Sequence, residues 1–365
     1  MKNDITAKIT LHKSYTDSLQ NLIISLLKEN NIKYHVVEAR TKTQTSLEAK
    51  INNPNKSYKN PLEEIHDITG IRIVAYYIDD IDRIEELVRK EFEIFEDESY
   101  SKLSKMSANE FGYLSVHCIF TLNKTRENLT EWKPYKSLKA EVQIRTVLQH
   151  SWAVIAHALQ YKNKIEVPFS LRRKLSRLAG LLELADEQFL SIKNEHKSLE
   201  EKARNELESN KMDIQITSIT LKEFIETYIN LDVICNNIRS KGYIFSTDEA
   251  YYTMPWYDEY ADLESENKAL VELLKTCKEL NISTLDQVAE IIDRNVDSLE
   301  YFNYINDDES WFVSKVFIVT LIVIKEYNKE LSTEYLVELG WGENIAQRVF
   351  DGIDKMENNT EQSKR

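Results

Sequence analysis

Between residues 34 and 146, short runs rich in β-branched and aromatic residues alternate with stretches of helical apolar spacing, which restricts this part of the chain to an α/β or α+β arrangement. Tyr34–Arg40, Ile71–Tyr77, Gly112–Leu122 and Leu138–Arg145 read as strands. Tyr15, Leu19, Leu22, Ile23, Leu26 and Leu27 predict an amphipathic helix over about residues 15–32. A second helix is expected over Ser46–Ile51, after the polar turn Lys42–Thr45, and a third over Asp80–Phe92. The helical pattern resumes from Val147 to about Leu207, with Leu175, Leu178, Leu182, Leu184 and Phe189 suited to packing on the sheet or on another chain. A charged stretch, Ser198–Asp213, reads as a linker. Beyond it, Thr220–Ile238, Tyr260–Leu280, Leu285–Asn295, Trp311–Asn328 and Glu334–Met356 read as successive helices. The expected organisation is an α+β domain over residues 1–205, with a mixed sheet flanked by helices, followed by a mostly helical domain over 206–365.

Charge separates the two halves. Residues 1–200 hold 30 Lys and Arg against 28 Asp and Glu, whereas the remainder holds 17 against 33. The acidic second half is a poor nucleic-acid surface, because contacts to phosphate supply most non-specific affinity. The near-neutral first half can still hold a local basic pocket. The longest apolar run, Val316–Ile324, is bounded by lysines and is far short of the roughly 18 residues of a membrane span, so it reads as a buried helix. Met1–Ser14 is polar and lacks the features of a secretory leader, so a cytoplasmic protein without membrane association is expected. Cys118, Cys235 and Cys277 are never spaced as metal ligands and read as buried thiols.

Two acidic residues stand at strand positions: Asp67 just before Ile71-Arg72-Ile73, and Glu141 within Ala140-Glu141-Val142-Gln143-Ile144-Arg145. Carboxylates on neighbouring strands facing one cleft suit a magnesium ion, which takes a few carboxylate oxygens and completes its shell with phosphates and water. Taken alone, an Asp before a strand is a turn residue and a Glu alternating with Val and Ile is the wet face of a sheet. Their company changes that reading. Arg40, Lys42, Ser46 and Lys50 combine a strand end, a turn and a helix start with three cations, a setting that grips a triphosphate. Tyr113, Ser115 and His117 alternate along one strand face, where an aromatic ring can stack on a base.

These segments, His66-Asp67-Ile68-Thr69-Gly70-Ile71-Arg72-Ile73, Gly112-Tyr113-x-Ser115-x-His117, and Glu141-x-Gln143-Ile144-Arg145-Thr146 followed by Trp152-Ala153-x-x-x-His157-x-x-x-Tyr161-Lys162, resemble in order and spacing the RelA/SpoT nucleotidyltransferase domain. The resemblance runs from about residue 15 to 200. It implies an enzyme that moves the β,γ-pyrophosphate of ATP onto the 3′ hydroxyl of GTP or GDP to make (p)ppGpp. By the same resemblance Arg40 holds adenine, while Lys42, Ser46 and Lys50 neutralise the ATP phosphates. Asp67 and Glu141 hold Mg²⁺, and Glu141 also draws the proton from the attacking hydroxyl. Tyr113 stacks on the acceptor base, Ser115 and His117 contact acceptor phosphate or ribose, Gln143 and Arg145 order the pocket, and Arg72 is counted among the nucleotide-binding residues. Homo-oligomers occur among such relatives.

The chain departs from the family where many members carry a basic residue and an Asn before the Gly-Tyr pair; here Asn109-Glu110-Phe111 stands. An acidic residue there repels an acceptor phosphate unless Lys102 or Lys105 offsets it. The acceptor is therefore open between a guanosine nucleotide, an adenosine nucleotide and the 3′ end of tRNA. In a tRNA-modifying, toxin-like enzyme the acidic tail would act as a built-in restraint. A non-catalytic nucleotide sensor is the reading of another class. No hydrolase activity is expected, since His66-Asp67 lies inside the synthetase motif. His150 and His157 share a helical face suited to packing on the sheet, His12, His35 and His196 belong to no constellation, and Trp256, Trp311 and Trp341 read as core or interface residues.

Overall fold

The computed structural model describes residues 2–54, 58–97, 99–101, 115–161, 168–245, 248, 259–297, 299–306 and 311–363. The chain divides into two compact units, Met1–Asn194 and Glu195–Arg365.

In the first unit, helix α1 (Lys2–Glu29) precedes β1 (Val36–Thr41), α2 (Gln44–Ile51), the single turn α3 (Pro61–Glu64) and β2 (Thr69–Ala75). Then come α4 (Ile78–Glu91), β3 (Phe92–Ile94), β4 (Tyr100–Ser101), β5 (Val116–Leu122), the turn α5 (Lys124–Glu127), β6 (Ala140–Thr146), α6 (Val147–Tyr161) and α7 (Phe169–Glu208). The sheet order is β1-β2-β6-β5-β3, and β4 also pairs with β5. β2 runs parallel to β6 and the other pairings are antiparallel, so the sheet is mixed, as expected.

Its two faces differ because side chains alternate along each strand. Val37, Ile71, Ile73, Cys118, Phe120, Ala140, Val142 and Ile144 are buried on one face, in a core shared with α1 and α4. Tyr15, Leu19, Ile23 and Leu27, four residues apart, present one stripe of α1 to it. Ile81, Ile84, Leu87 and Val88 do the same for α4. α1 begins well before the predicted residue 15, and it ends at Asn31, whose φ of 51° lets Ile32 N donate to Leu27 O. A satellite cluster of Ile5, Leu47, Ile65 and Ile68 fixes α2 and the segment before β2.

Helix α7 follows no break at the predicted linker: residues 198–208 continue it. Within the first unit, Asp186 on α7 is buried and accepts a hydrogen bond from Thr146 Oγ1 at 2.7 Å, while Lys193 Nζ pairs with Asp79 at 2.8 Å. Thr146 also caps α6, accepting from Gln149 N, so one side chain joins the end of β6 to two helices.

The second unit contains helices Ser218–Thr227, Ile229–Arg239, Glu259–Glu279, Leu285–Arg294, Glu300–Asn306, Lys315–Glu326, Thr333–Glu338 and Glu343–Ser363. Val316 and Ile318–Ile324 are all buried, so the longest apolar run is a central core helix. Two short strands, β7 (Tyr243–Phe245) and β8 (Trp311–Val313), pair in parallel, where only helix was expected at residue 311 and no strand at 243. The helix expected over 220–238 is broken at Tyr228, which is extended. Trp311 and Trp341 pack against the core of this unit, Trp341 stacking on Phe317 at 5.1 Å, whereas Trp256 lies outside the described residues. All three cysteines are free and buried. Among the described residues no helix is long and apolar enough to cross a membrane.

Two measurements test this packing. Ile144→Ala, at a fully buried position of β6, should lower the urea-measured unfolding free energy by about 2–5 kcal/mol; a loss below about 0.5 kcal/mol would contradict a close-packed sheet face. Burial pushes the Asp186 carboxyl up from 3.8 to about 6, against the lowering effect of Thr146. Its folded value lies above its unfolded one, so the stability it permits is full below 3.8 and is lost as pH rises through about 6. Asp186→Asn should remove that loss, roughly 1–3 kcal/mol between about pH 4 and pH 7, from the stability profile.

Candidate functional site

Opposite the core, the sheet carries polar side chains in register. Residues paired directly across neighbouring strands point the same way. Arg40, Gly70, Glu141 and Ile119 form one row across β1, β2, β6 and β5, and Glu38, Arg72, Gln143 and His117 form the next. Gly70 is the residue without a side chain in the first row, which leaves the space between Arg40 and Glu141 unfilled by the sheet itself.

Asp67 enters this face from the segment just before β2. Its Oδ2 receives Lys42 Nζ at 2.9 Å and Lys50 Nζ at 2.8 Å. Burial alone would raise the Asp67 carboxyl, but hydrogen bonds and charge from Lys50 and Lys42 outweigh it and hold it below the usual carboxylate range. Its other oxygen, Oδ1, is buried and has no hydrogen-bond partner among the described residues. The backbone holds these groups together, because Lys42 N donates to Ile68 O at 2.8 Å and buried Leu47 seats the helix that carries Lys50. Thr43 caps that helix, its Oγ1 accepting from Ser46 N at 3.3 Å.

Glu141 stands on the adjacent strand. His117 Nδ1 donates to its Oε1 at 2.8 Å. Burial raises the Glu141 carboxyl, the hydrogen bond and charge of His117 bring it down, the charge of Asp67 pushes it up, and Gln143 lowers it again, for a net value below the ordinary one. Asp67 and Glu141 are thus two ionised carboxylates close enough to repel each other. Arg145 Nη2 donates to Gln143 Oε1, which extends the line of hydrogen bonds from Glu141 into the buried end of β6. The orphaned Asp67 Oδ1 and the two neighbouring carboxylates fit a divalent cation that takes one or two protein carboxylates and fills its remaining positions from substrate and water. Among the described residues no group of three or more His, Cys, Asp and Glu forms an all-protein metal cage.

The expected residues do not all play into this cluster. Arg40 is exposed on the same face, in the same row as Glu141 with Gly70 between them, and Ser46 is exposed at the start of α2. Arg72 is engaged by Glu38, with Nη1 to Oε2 at 2.6 Å. Ser115 is buried, its Oγ without a partner among the described residues, and Tyr113 lies outside them, as do Lys102, Lys105 and Asn109-Glu110-Phe111.

Sequence reasoning missed four contributors. His12, set aside as belonging to no constellation, is buried at the centre of a network. Its Nδ1 hydrogen-bonds to Thr69 Oγ1 at 2.9 Å, Thr69 Oγ1 lies 3.0 Å from Thr16 Oγ1, and Thr41 Oγ1 donates to Thr16 Oγ1 at 2.9 Å. Burial and then the charge of Lys8 lower the His12 imidazole to about 4, so it is neutral at physiological pH. This network ties the residue before Lys42 and the strand after Asp67 to α1. His150, on α6, is half-buried and lowered by burial and by the charges of Arg72 and Arg145, which places it beside the polar face, while His157 is exposed. Thr146 and Asp186 complete the set by anchoring β6. No periodicity marks these positions; only the spacing of Thr16 four residues after His12, on one helix face, was available as a signal.

Comparison with known proteins bears on the same segment. Residues 39–166 match the family described as "Region found in RelA / SpoT proteins". GTP pyrophosphokinase YwaC of Bacillus subtilis (strain 168) is 32% identical over 139 residues, 38% of this chain and 62% of that protein. GTP pyrophosphokinase YjbM of the same organism is 30% identical over 136 residues, 37% of this chain and 60% of that protein. The chain thus spans less than two thirds of the length of these curated relatives. The crystal structure of small alarmone synthetase 2 from Bacillus subtilis is 28% identical, with a TM-score of 0.45 over 53% of this chain and 99% of that one. Residues 39–166, which hold every member of the lysine and carboxylate cluster, are thus similar to the region found in RelA and SpoT proteins and to the two GTP pyrophosphokinases.

Proposed function

We propose that residues 1–205 act as a pyrophosphotransferase that moves the β,γ-pyrophosphate of ATP to the 3′ hydroxyl of GTP or GDP, and that the acidic helical residues 206–365 adjust its activity. The observation that carries this reading is the convergence of Asp67 and Glu141, mutually repelling, beside the two lysines on one face of the sheet. The names of the two Bacillus relatives, both GTP pyrophosphokinases, support the same substrates. ATP and GTP are cytoplasmic nucleotides, which fits a cytoplasmic enzyme.

In this reading Lys42 and Lys50, with Ser46 and the first amides of α2, take the ATP phosphates, because a helix start offers unpaired N–H groups to an anion. Arg40 lies in the same row as Glu141, across Gly70, and holds the adenine. Asp67 Oδ1 and Glu141 are the protein ligands for Mg²⁺, which when bound neutralises charge that builds on the transferred phosphates. His117 and Ser115, with Tyr113 on the grounds of sequence alone, receive the acceptor. Its 3′ oxygen forms a bond to the β-phosphorus of ATP, the bond from that phosphorus to the α-phosphate oxygen breaks, and AMP leaves. Glu141, aimed by His117 and by the Arg145–Gln143 pair, takes the hydroxyl proton. Most of the rate enhancement in such a reaction comes from in-line placement and charge neutralisation, so groups that merely hold Glu141 in place matter nearly as much as Glu141.

The test is incubation of the purified chain with β-labelled ATP and Mg²⁺, offered GDP, GTP, ADP or bulk tRNA in separate reactions. Label should move to the guanosine nucleotides with release of AMP. Label on tRNA alone, or on an adenosine nucleotide alone, would replace the acceptor named above, and no transfer to any of the four would overturn the enzymatic reading. Glu141→Gln should reduce transfer by at least about 100-fold with an unchanged melting temperature. Because both carboxylates titrate below their ordinary range, kcat/KM should hold from neutral pH to about 5 and fall only below it. An acid limb centred above pH 6 would show that other groups control the rate.

A further inference from the structure

We propose that Lys42, Asp67 and Lys50 form an interlock through which the site selects a nucleoside triphosphate already carrying its divalent cation over either the free nucleotide or the free ion. The proposal rests on the reading above, in which the lysines take phosphate and Asp67 takes the metal. One carboxylate oxygen, Asp67 Oδ2, accepts both ammonium groups, at 2.9 and 2.8 Å. The three side chains are only 12%, 26% and 28% exposed for Lys42, Lys50 and Asp67, so salt screens their interaction poorly.

Both carboxylates are already engaged, since two ammonium groups face Asp67 and His117 holds Glu141. A divalent ion arriving alone meets a carboxylate whose charge is spent on two lysines, and those lysines repel it. A bare triphosphate arriving alone must draw both lysines off Asp67, and it then lies beside two carboxylates that repel it in turn. The complex of the two supplies each side of the exchange at once: phosphate oxygens replace Asp67 at the lysines, and the cation replaces the lysines at Asp67. The partners do not need to travel far. Oδ1 of Asp67 is already buried without a hydrogen bond among the described residues, and the His12–Thr69–Thr16–Thr41 network fixes the backbone on both sides. Linkage requires that the cation and the nucleotide then raise each other's affinity by one common factor.

Calorimetric titration of the full chain with α,β-methylene ATP, which cannot release its pyrophosphate, reads that factor directly. In wild type, magnesium should tighten binding at least about tenfold over EDTA. Asp67→Asn should bind the metal-free analogue at least about tenfold tighter than wild type, and magnesium should then add about twofold or less. The gain without metal is the discriminating result, because simple loss of a metal ligand leaves metal-free binding unchanged. Lys50→Gln gives a second reading that needs no nucleotide: Mn²⁺ alone, followed by its free-ion EPR signal, should bind this variant several-fold more tightly than wild type. Circular dichroism melts confirm that each variant is folded. Metal-free affinity equal or weaker in Asp67→Asn, or Mn²⁺ affinity unchanged in Lys50→Gln, overturns the interlock while leaving ATP as substrate. Failure of wild type to bind the analogue in magnesium overturns the functional reading and the interlock together.

Discussion

Because β2 and β6 run parallel with Gly70 opposite Glu141, the acidic strand lies beside the segment from which Asp67 emerges, and the polar face of the first unit is organised around that pairing. The same register puts Ile71 beside Val142 and Ile73 beside Ile144 on the opposite face, where α1 and α4 bury them. A shift of one residue would turn the core stripe toward water and Glu141 into the apolar layer, so core packing and site geometry are enforced by one register. Burial of the apolar stripe fixes the register, and the register fixes the chemistry.

Electrostatics then divides the labour among the acids of this unit. Asp67 and Glu141 are both buried enough for desolvation to oppose their charge, yet two lysines at Asp67 and the His117 hydrogen bond at Glu141 hold both below the ordinary carboxylate range. Asp186, more deeply enclosed and offered only a hydroxyl, is pushed the other way. The three carboxylates thus take different protonation behaviour according to their burial and their neighbours. The two that remain charged lie on the face that a phosphate and a cation can reach; the third secures helix α7 against the end of β6.

Much of this was legible in the amino-acid sequence. The four long strands were visible because their apolar residues alternate, and the lysine and carboxylate cluster was visible because Lys42, Lys50, Asp67 and Glu141 sit at motif positions. What escaped detection shares a physical character. β3, β7 and β8 are three residues long, too short to display a period, and their pairing partners are distant in sequence. The first half of α1 was hidden because polar His12 and Thr16 occupy inward positions of the stripe, satisfied by Thr69 and Thr41 rather than by apolar contacts. The charged stretch after residue 198 suggested a linker, but charges on a helix exposed to water do not interrupt it. In the second unit, helices were recognised singly, while the break at Tyr228 carries neither Pro nor Gly to announce it.

A sheet with one dry face and one reactive face has a consequence for how this protein tolerates variation. Along β6, Val142 and Ile144 answer to the core, whereas in the proposed function Glu141 and Gln143 answer to the ligand. Substitutions at successive positions should therefore fall into two phenotypes in strict turn, one depleting the amount of folded protein in a cell and the next leaving its abundance intact but its output silent. Selection acting on such a strand is felt as two interleaved pressures, and drift in one set cannot be compensated by change in the other.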